Sequence, residues 1–248
     1  MLAGLLALGN TRPGKNTDSA SVETTARGNG YGEIHVVPTS PDGLDAELLE
    51  SSYVVGVLAG STPGSSYATA ATQTSFSDTS ALLMLKNNAP LGSGINIRPD
   101  TLKLIINGAG AGITAMHLAA VLDDASRWGT PGGSALAFTP NSNTGLTQGS
   151  ASQALCGGLG SGAATGNKRF VGRCVLKAAA PVVNDEFLIR FSNAAQPSGS
   201  LAGTSAATIV RHMEPVLIAP GKVLILHAWF TGATTGPNIE PTLAVIER

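Results

Sequence analysis

The chain has 248 residues, of which 43% are hydrophobic and only 12% are charged, and its formal net charge is −1. This length and hydrophobic share suffice for a substantial core, so a wholly disordered chain is excluded, and the lack of a basic run excludes an electrostatic surface for nucleic acid. The charged share is about half of that in ordinary globular proteins. Because a freely diffusing protein usually keeps a charged surface, we expect other subunits to cover much of this one.

The first fifty residues are predicted to form an extended N-terminal arm and linker, because 11–32 is polar and rich in Gly. Leu2, Leu5 and Leu6 could share one helical face and make assembly contacts with a neighbour, with a frayed terminus as the equal alternative. The apolar start lacks a preceding basic residue and is shorter than the ~20 residues of a membrane span. We therefore expect no signal peptide and no membrane anchor. A short helix could form over 44–52.

Residues 51–248 are predicted to form one β-domain. Apolar runs of strand length, most of them bounded by turn-forming residues, lie at 53–59, 81–86, 101–107, 170–179, 186–191 and 222–230. The last run is apolar on both faces, as expected for a strand inside a sandwich. Strands do not alternate with helices, so the predicted fold is all-β, an antiparallel β-sandwich that is jelly-roll-like. Residues 140–168 are too long and too rich in small side chains for an ordinary connection, and predict a long excursion or a flexible loop.

The segment "LKLIINGAGAGITAMHLAAVLDD" (102–124) allows two interpretations. A strand leading into a glycine-rich turn is how a dinucleotide-binding motif begins, but that fingerprint requires a glycine where Ile113 stands. The residues after the turn also alternate as a strand does. We therefore favour a hairpin connection at Gly108–Gly112 over a cofactor loop, with the glycines supplying positive-φ positions. The sequence "GSGAATGNKR" (160–169) likewise lacks the spacing of a phosphate loop.

No arrangement of side chains predicts catalysis, a cofactor or a bound metal. His212 and Glu214 would share a strand face, but such a pair is more often a surface contact than a metal site. Cys156 and Cys174 fit no zinc spacing, and two free thiols are favoured over a disulfide. Asp123-Asp124 and Asp185-Glu186 are adjacent pairs that fit turn edges. Trp128, in a turn, is the candidate contact for a sugar ligand, although packing over the sandwich end is favoured for it.

Three segments, taken in order, resemble a group of virion structural proteins of short-tailed bacteriophages. They are "SFSDTSALLMLKNNAP" (75–90), "RFVGRCVLKAAAPVVNDEFLIRF" (169–191) and "APGKVLILHAWF…PTLAVIER" (219–248). In those proteins a Lys-Asn turn follows an aliphatic strand, a Pro-Gly turn leads into a Leu-His-x-Trp strand, and the chain ends with Glu-Arg. The similarity runs from about residue 50 to the end. The final strand departs from the pattern because it lacks aromatic residues.

The resemblance implies a non-enzymatic, jelly-roll-like and trimeric protein, attached to the capsid or the tail as a decoration, fibre or adaptor. Its partners would be copies of itself and other virion proteins (major capsid or tail proteins), and its location the virion, assembled in the bacterial cytoplasm. Surfaces of Ala, Thr, Ser and Gly can pack against copies without desolvating charge, which agrees with this. A module that binds a host receptor or surface glycan is the alternative. Neither nucleic acid nor membrane is an expected partner.

Overall fold

The computed structural model describes residues 23–28, 34–39, 53–60, 62–124, 127–128, 133–140, 150–160, 162–163, 165–192 and 206–248. The chain divides into two compact units, Met1–Glu50 and Ser51–Arg248. In the first unit, β1 (Glu23–Gly28) and β2 (Ile34–Thr39) pair antiparallel. Part of the segment interpreted as an extended linker is therefore a paired strand. Leu2, Leu5, Leu6 and the possible helix at 44–52 lie outside the described residues.

The second unit is built from twelve strands, and its described part contains no α-helix. The strands are β3 (Tyr53–Leu58), β4 (Ala68–Thr69), β5 (Ser80–Asn87), β6 (Ile97–Gly108), β7 (Ala115–Asp124), β8 (Ser134–Pro140), β9 (Ser152–Gly160), β10 (Arg169–Lys177), β11 (Glu186–Phe191), β12 (Thr208–Met213), β13 (Lys222–Thr231) and β14 (Asn238–Glu247). All six runs predicted as strands are strands, and the prediction of an all-β fold is confirmed.

The twelve strands form one sheet in the order β10-β7-β13-β5-β9-β8-β3-β14-β6-β11-β12, with the short β4 paired to β14. The sheet curls until its two end strands, β10 and β12, face each other, so the unit is a nearly closed barrel or sandwich. The sheet is mixed, which corrects the expectation of a purely antiparallel one: β11 and β12 run parallel, and the other pairs are antiparallel. A parallel pair requires a long crossover, here 192–207, which the local pattern of apolar runs does not reveal.

The core fills the inside of the curled sheet, and a smaller cluster covers part of its outer face. Strand β13 shows both environments because alternate side chains point to opposite faces. Its Leu224, Leu226 and Phe230 are buried in the main core. Its Val223 and Ile225 instead belong to a second cluster with three residues of β5 and β9, namely Ala81, Met84 and Leu159. The prediction that β13 is buried on both faces is confirmed.

The turn at Gly108–Gly112 is not a hairpin, which corrects the interpretation favoured from sequence. Strand β6 pairs with β14 and β11, whereas β7 pairs with β10 and β13. The turn therefore carries the chain between separate parts of the sheet. It is held by the connection from β13 to β14, where Thr234 N donates to Ala111 O (2.8 Å) and Ala111 N to Thr235 O (3.3 Å). A dinucleotide-binding motif requires a helix after its glycines, but the segment that follows here is strand β7, so the cofactor interpretation is not supported.

Residues 140–168 are not one excursion, because their middle forms strand β9. This strand pairs with β5 on one side and β8 on the other, inside the sheet. The sequence "SQALCGGLG" hides it, since glycine contributes no side chain to the alternating pattern. The glycines serve close packing: Gly157 has φ +127°, and a Cβ at Gly158 would lie 3.3 Å from the backbone nitrogen of Ala71.

Candidate functional site

The two end strands of the sheet are joined by a side chain. The guanidinium of Arg211 on β12 donates from Nε to Val175 O (2.7 Å) and from Nη2 to Leu176 O (3.1 Å), both on β10, and from Nη1 to Val210 O (2.8 Å). Arg211 is buried, and burial lowers its pKa. Among the described residues it has no carboxylate partner. Backbone carbonyl oxygens therefore accept the hydrogen bonds of this buried cation. We call the junction of β10 and β12 the seam.

One end of the seam holds a buried ion pair. Lys177 at the end of β10 and Asp185 just before β11 are both excluded from solvent, and Lys177 Nζ lies 2.7 Å from Asp185 Oδ2. Asp185 also accepts from the backbone nitrogens of Val182 (2.7 Å, Oδ2) and Ala207 (3.0 Å, Oδ1). Because Ala207 directly precedes β12, one carboxylate fastens the ends of three strands together.

The other end of the seam opens into a groove of about 530 Å³. Its lining comes from the start of β10, the segment after β12 and one residue of β7: Arg169, Phe170, Val171, Glu214, Pro215, Val216, Leu217 and Leu122. Two of these, Phe170 and Leu217, are large apolar side chains that are 59% and 60% exposed. We call this feature the seam groove. It can bury apolar groups of another molecule.

On the outer face of the sheet, a charge network surrounds Asp78. Arg127 is fully buried and lies 3.3 Å from both Asp78 Oδ1 and Asp123 Oδ2. Lys168 Nζ donates to Asp78 Oδ2 (2.9 Å). Burial opposes ionisation of Asp78, but the hydrogen bonds from Lys168 and Arg127 outweigh it and hold the pKa of this carboxyl below its usual value. The two anions are thereby matched by two cations.

His227 lies beside this network, buried on β13. Its Nδ1 is 2.7 Å from the carbonyl oxygen of Ser80, and because a carbonyl only accepts, Nδ1 carries the proton. Burial lowers the pKa of His227, despite the nearby Asp78. The ring also packs edge-on against Phe76, with centroids 5.3 Å apart. His227 is thus a buried histidine that is neutral in the folded chain.

Next to the network, the outer face carries a cleft of about 430 Å³, which we call the outer cleft. Small side chains form its floor (Ala119, Val121), aromatic rings its walls (Phe76, Phe170, Trp229) and charged groups its rim (Asp78, Lys168, Arg173). It lies over the neighbouring strands β10, β7 and β13. A small ligand with an apolar face and polar substituents matches such a lining.

Arg173 is held in place by two neighbouring rings. Its guanidinium lies 5.0 Å from the ring centroid of Trp229, and its Nη2 is 3.3 Å from His117 Nδ1. Arginine only donates, so Nδ1 of His117 accepts and the imidazole is neutral. Burial, followed by the charge of Arg173, lowers the pKa of His117 accordingly. The imidazole in turn stacks on Trp229 at 4.9 Å and 11°. A stacked pair of rings thus holds one cation at the cleft.

The residues singled out from sequence do not converge on one site. Trp128 is half-buried against the second cluster, with Lys86 Nζ 5.9 Å from its ring centroid. His212 Nδ1 contacts Ser192 Oγ at 3.1 Å, and within the described residues no group of three or more His, Cys, Asp or Glu could hold a metal ion. Cys156 and Cys174 are free and buried, as favoured.

Sequence reasoning missed the charged residues that organise both sites: Arg211, Lys177, Asp185, Arg127 and Arg173. A signal for one of them exists in "TIVRHM" (208–213), where Arg211 lies two residues from both Ile209 and Met213 and so shares their inward-facing side of the strand. A charge at an inward position of a strand indicates a buried partner. The partners themselves are distant in sequence and could not be read locally.

The chain matches no protein-family model, no curated protein and no solved structure. None of its described segments forms a helix with the length and apolarity needed to cross a bilayer.

Proposed function

We propose that this protein is a non-enzymatic, self-associating structural subunit of a tailed bacteriophage virion. In this proposal its curled sheet is a jelly-roll-like building block that assembles as a trimer. It attaches to the capsid or tail as a decoration, fibre or adaptor. The resemblance of residues 75–90, 169–191 and 219–248 to virion proteins of short-tailed phages supports the virion assignment.

The observation that carries self-association is the seam groove. Exposed large apolar side chains are ordinarily scattered singly, whereas Phe170 and Leu217 flank the same groove together with Leu122 and Val171. The chain as a whole has only 12% charged residues, so burying this surface desolvates few ions. A second copy is therefore a chemically suitable occupant.

Light scattering on the purified chain tests this proposal. We expect a homo-oligomer at micromolar concentration, and we expect Leu217→Asp to shift it to monomer because a carboxylate would be buried in an apolar contact. Leu91→Asp is the matched control: Leu91 is 84% exposed and does not line the groove. A parent chain that remains monomeric at high micromolar concentration would overturn self-association. Equal effects of the two substitutions would overturn the role of the groove.

The virion assignment has its own test. Antibody raised against the purified chain should label intact particles of the virus that carries its gene, at fixed positions visible by electron microscopy. Particles that are uniformly unlabelled, while infected-cell extract contains the protein, would contradict the assignment.

The alternative, a glycan-binding module using Trp128, has less support from the geometry. That ring packs against the second cluster, and Lys86 Nζ lies over it. A sugar would have little free aromatic face there.

A further inference from the structure

We propose that the outer cleft binds a carboxylate-bearing pyranose sugar, with Arg173 as the residue that recognises the carboxylate. The cleft comprises Phe76, Asp78, Ala119, Val121, Lys168, Phe170, Arg173 and Trp229. Phe170 lines both the outer cleft and the seam groove, whereas Arg173 and Phe76 line only the cleft, so substitution of Arg173 tests this inference separately from self-association.

The charge of the cleft selects an anion. Lys168 is engaged by Asp78, and Arg127 by Asp78 and Asp123, so these four charges cancel. Arg173 has no carboxylate partner among the described residues. Its contacts are the Trp229 ring and His117 Nδ1. One positive charge therefore remains, facing the cleft.

The geometry of Arg173 suits a carboxylate. A guanidinium carries five N–H donors in a planar fork, and only one contact to His117 is made, which leaves donors for a bidentate pair. The contacts with the Trp229 ring and His117 Nδ1 restrain the side chain, so less side-chain entropy is lost when an anion binds. The cation is thus organised before the ligand arrives.

The rest of the lining suits a sugar ring. A pyranose has an apolar C–H face that packs on aromatic rings, and Phe76 and Phe170 offer rings that are 44% and 59% exposed. Ala119 and Val121 have small side chains, so they leave room in the cleft for the ring above them. The volume of about 430 Å³ lies within the range of small-molecule sites.

Asp78 discriminates between kinds of anion. Its carboxylate stands on the same rim as Arg173, and its low pKa keeps it charged. The hydroxyl groups of a sugar acid can donate to it, whereas a sulfate dianion brings only acceptor oxygens. The rim therefore offers an acceptor and a cation to one ligand, which a sugar with one carboxylate and several hydroxyls can satisfy together.

Calorimetric titration of the full chain tests the proposal with three probes: sodium glucuronate, methyl β-D-glucuronide and methyl β-D-glucoside. We expect both acids to bind and the uncharged glucoside to bind at least tenfold more weakly. Binding of the methyl glucuronide indicates a sugar linked in a glycan, and binding of glucuronate alone indicates a free sugar acid. No heat with either acid up to tens of millimolar overturns the proposal, as does equal binding of the glucoside.

Substitutions assign the site. Arg173→Gln should weaken binding of the acids about tenfold or more, the effect of losing a charge-assisted hydrogen bond. Arg173→Lys, which keeps the charge but loses the fork, should weaken it less. Arg190→Gln is the matched control, since it removes the same charge from an exposed strand position outside both the cleft and the groove. Equal effects of Arg173→Gln and Arg190→Gln would overturn the assignment. Light scattering of Arg173→Gln should still show the parent oligomer, which separates this test from that of self-association.

Discussion

Lys177 Nζ lies 2.7 Å from Asp185 Oδ2, and neither side chain is accessible to solvent. The pair joins the end of β10 to the residue just before β11. Asp185 also accepts a hydrogen bond from the backbone nitrogen of Ala207, which directly precedes β12. The strands at the two open ends of the sheet are thus fixed by polar contacts, where a closed barrel would use a ladder of backbone hydrogen bonds. Two charges inside the protein are stable together but not singly.

Removing one partner of this pair should be strongly destabilising. Lys177→Met leaves Asp185 buried without its cation, and breaking a buried pair in this way costs about 3–5 kcal/mol. The change would appear as a lower midpoint of urea unfolding at unchanged slope and fixed protein concentration.

The matched control is the exposed pair of Lys103 and Glu186, whose Nζ and Oε2 are 3.5 Å apart. Both side chains are about a third or more exposed, so Lys103→Met should cost less than about 1 kcal/mol. Similar losses for the two lysine variants would contradict a special role for the buried pair.

Arg211 is predicted to hold the seam closed. Arg211→Met fills a similar volume but leaves the carbonyls of Val175 and Leu176 without a donor, which should cost about 2–4 kcal/mol. Hydrogen exchange should also become faster in β10 and β12 than in the central strands. Arg190→Met is the control, because Arg190 is exposed on the adjacent β11. Uniformly faster exchange across the whole sheet would argue against a local opening.

How much of this structure the sequence predicts depends on how far apart along the chain the contacting residues lie. Apolar runs bounded by turn residues predicted the strands correctly, because strand formation leaves a local alternation. Asp185 was placed correctly at a turn edge, next to Asn184 with φ +69°. Its burial against Lys177 was not predictable, since it depends on how the sheet curls.

The same limit explains the error at the glycine turn. The local pattern of strand, glycines and strand is the same for a hairpin as for a crossing between distant strands. The partner that decides between them is the connection at 231–236, more than a hundred residues away. The aromatic cleft was missed for a similar reason: Phe76, Arg173 and Trp229 are brought together only by strand order.

Gly112 tests this turn directly. It has φ +74°, and a Cβ there would lie 2.5 Å from the carbonyl oxygen of Gly232. Gly112→Ala should therefore cost about 1–3 kcal/mol of overpacking in addition to the backbone strain. Gly92→Ala isolates the strain alone, because Gly92 has φ +84° with open space around it. If the two alanine variants unfold at the same urea concentration, the close approach of the two connections is contradicted.

The two thiols are predicted to be inert in the folded protein. Burial raises the pKa of Cys156 to about 12 and that of Cys174 to about 11. Since the thiolate is the reactive form, a thiol reagent at pH 8 should modify neither residue in the native state. Both should react at once in denaturing urea, as expected for free thiols. Rapid native labelling of either cysteine would show that its strand is more open than the structure describes.

His227 should make the protein less stable in mild acid. Its pKa is lowered from 6.5 by burial, so just below pH 6.5 the unfolded chain takes up a proton that the folded chain does not. The unfolded state then binds more protons, and the free energy of unfolding must fall as the pH falls through this window. Above pH 6.5 the contribution is constant. Asp78 acts in a separate pH window. Because its pKa is lowered from 3.8, its contribution to the free energy of unfolding is lost only as the pH falls below about 3.8.

Urea titrations at pH 7.5, 6.5 and 5.5 would measure this effect. His227→Gln can still donate an N–H toward Ser80 O but does not titrate, so the variant should lose less stability than the parent between pH 6.5 and 5.5. The pKa of His117 is also lowered, so the variant should keep a part of the slope. Identical pH slopes in parent and variant would mean that His227 reaches solvent and is protonated in the folded state.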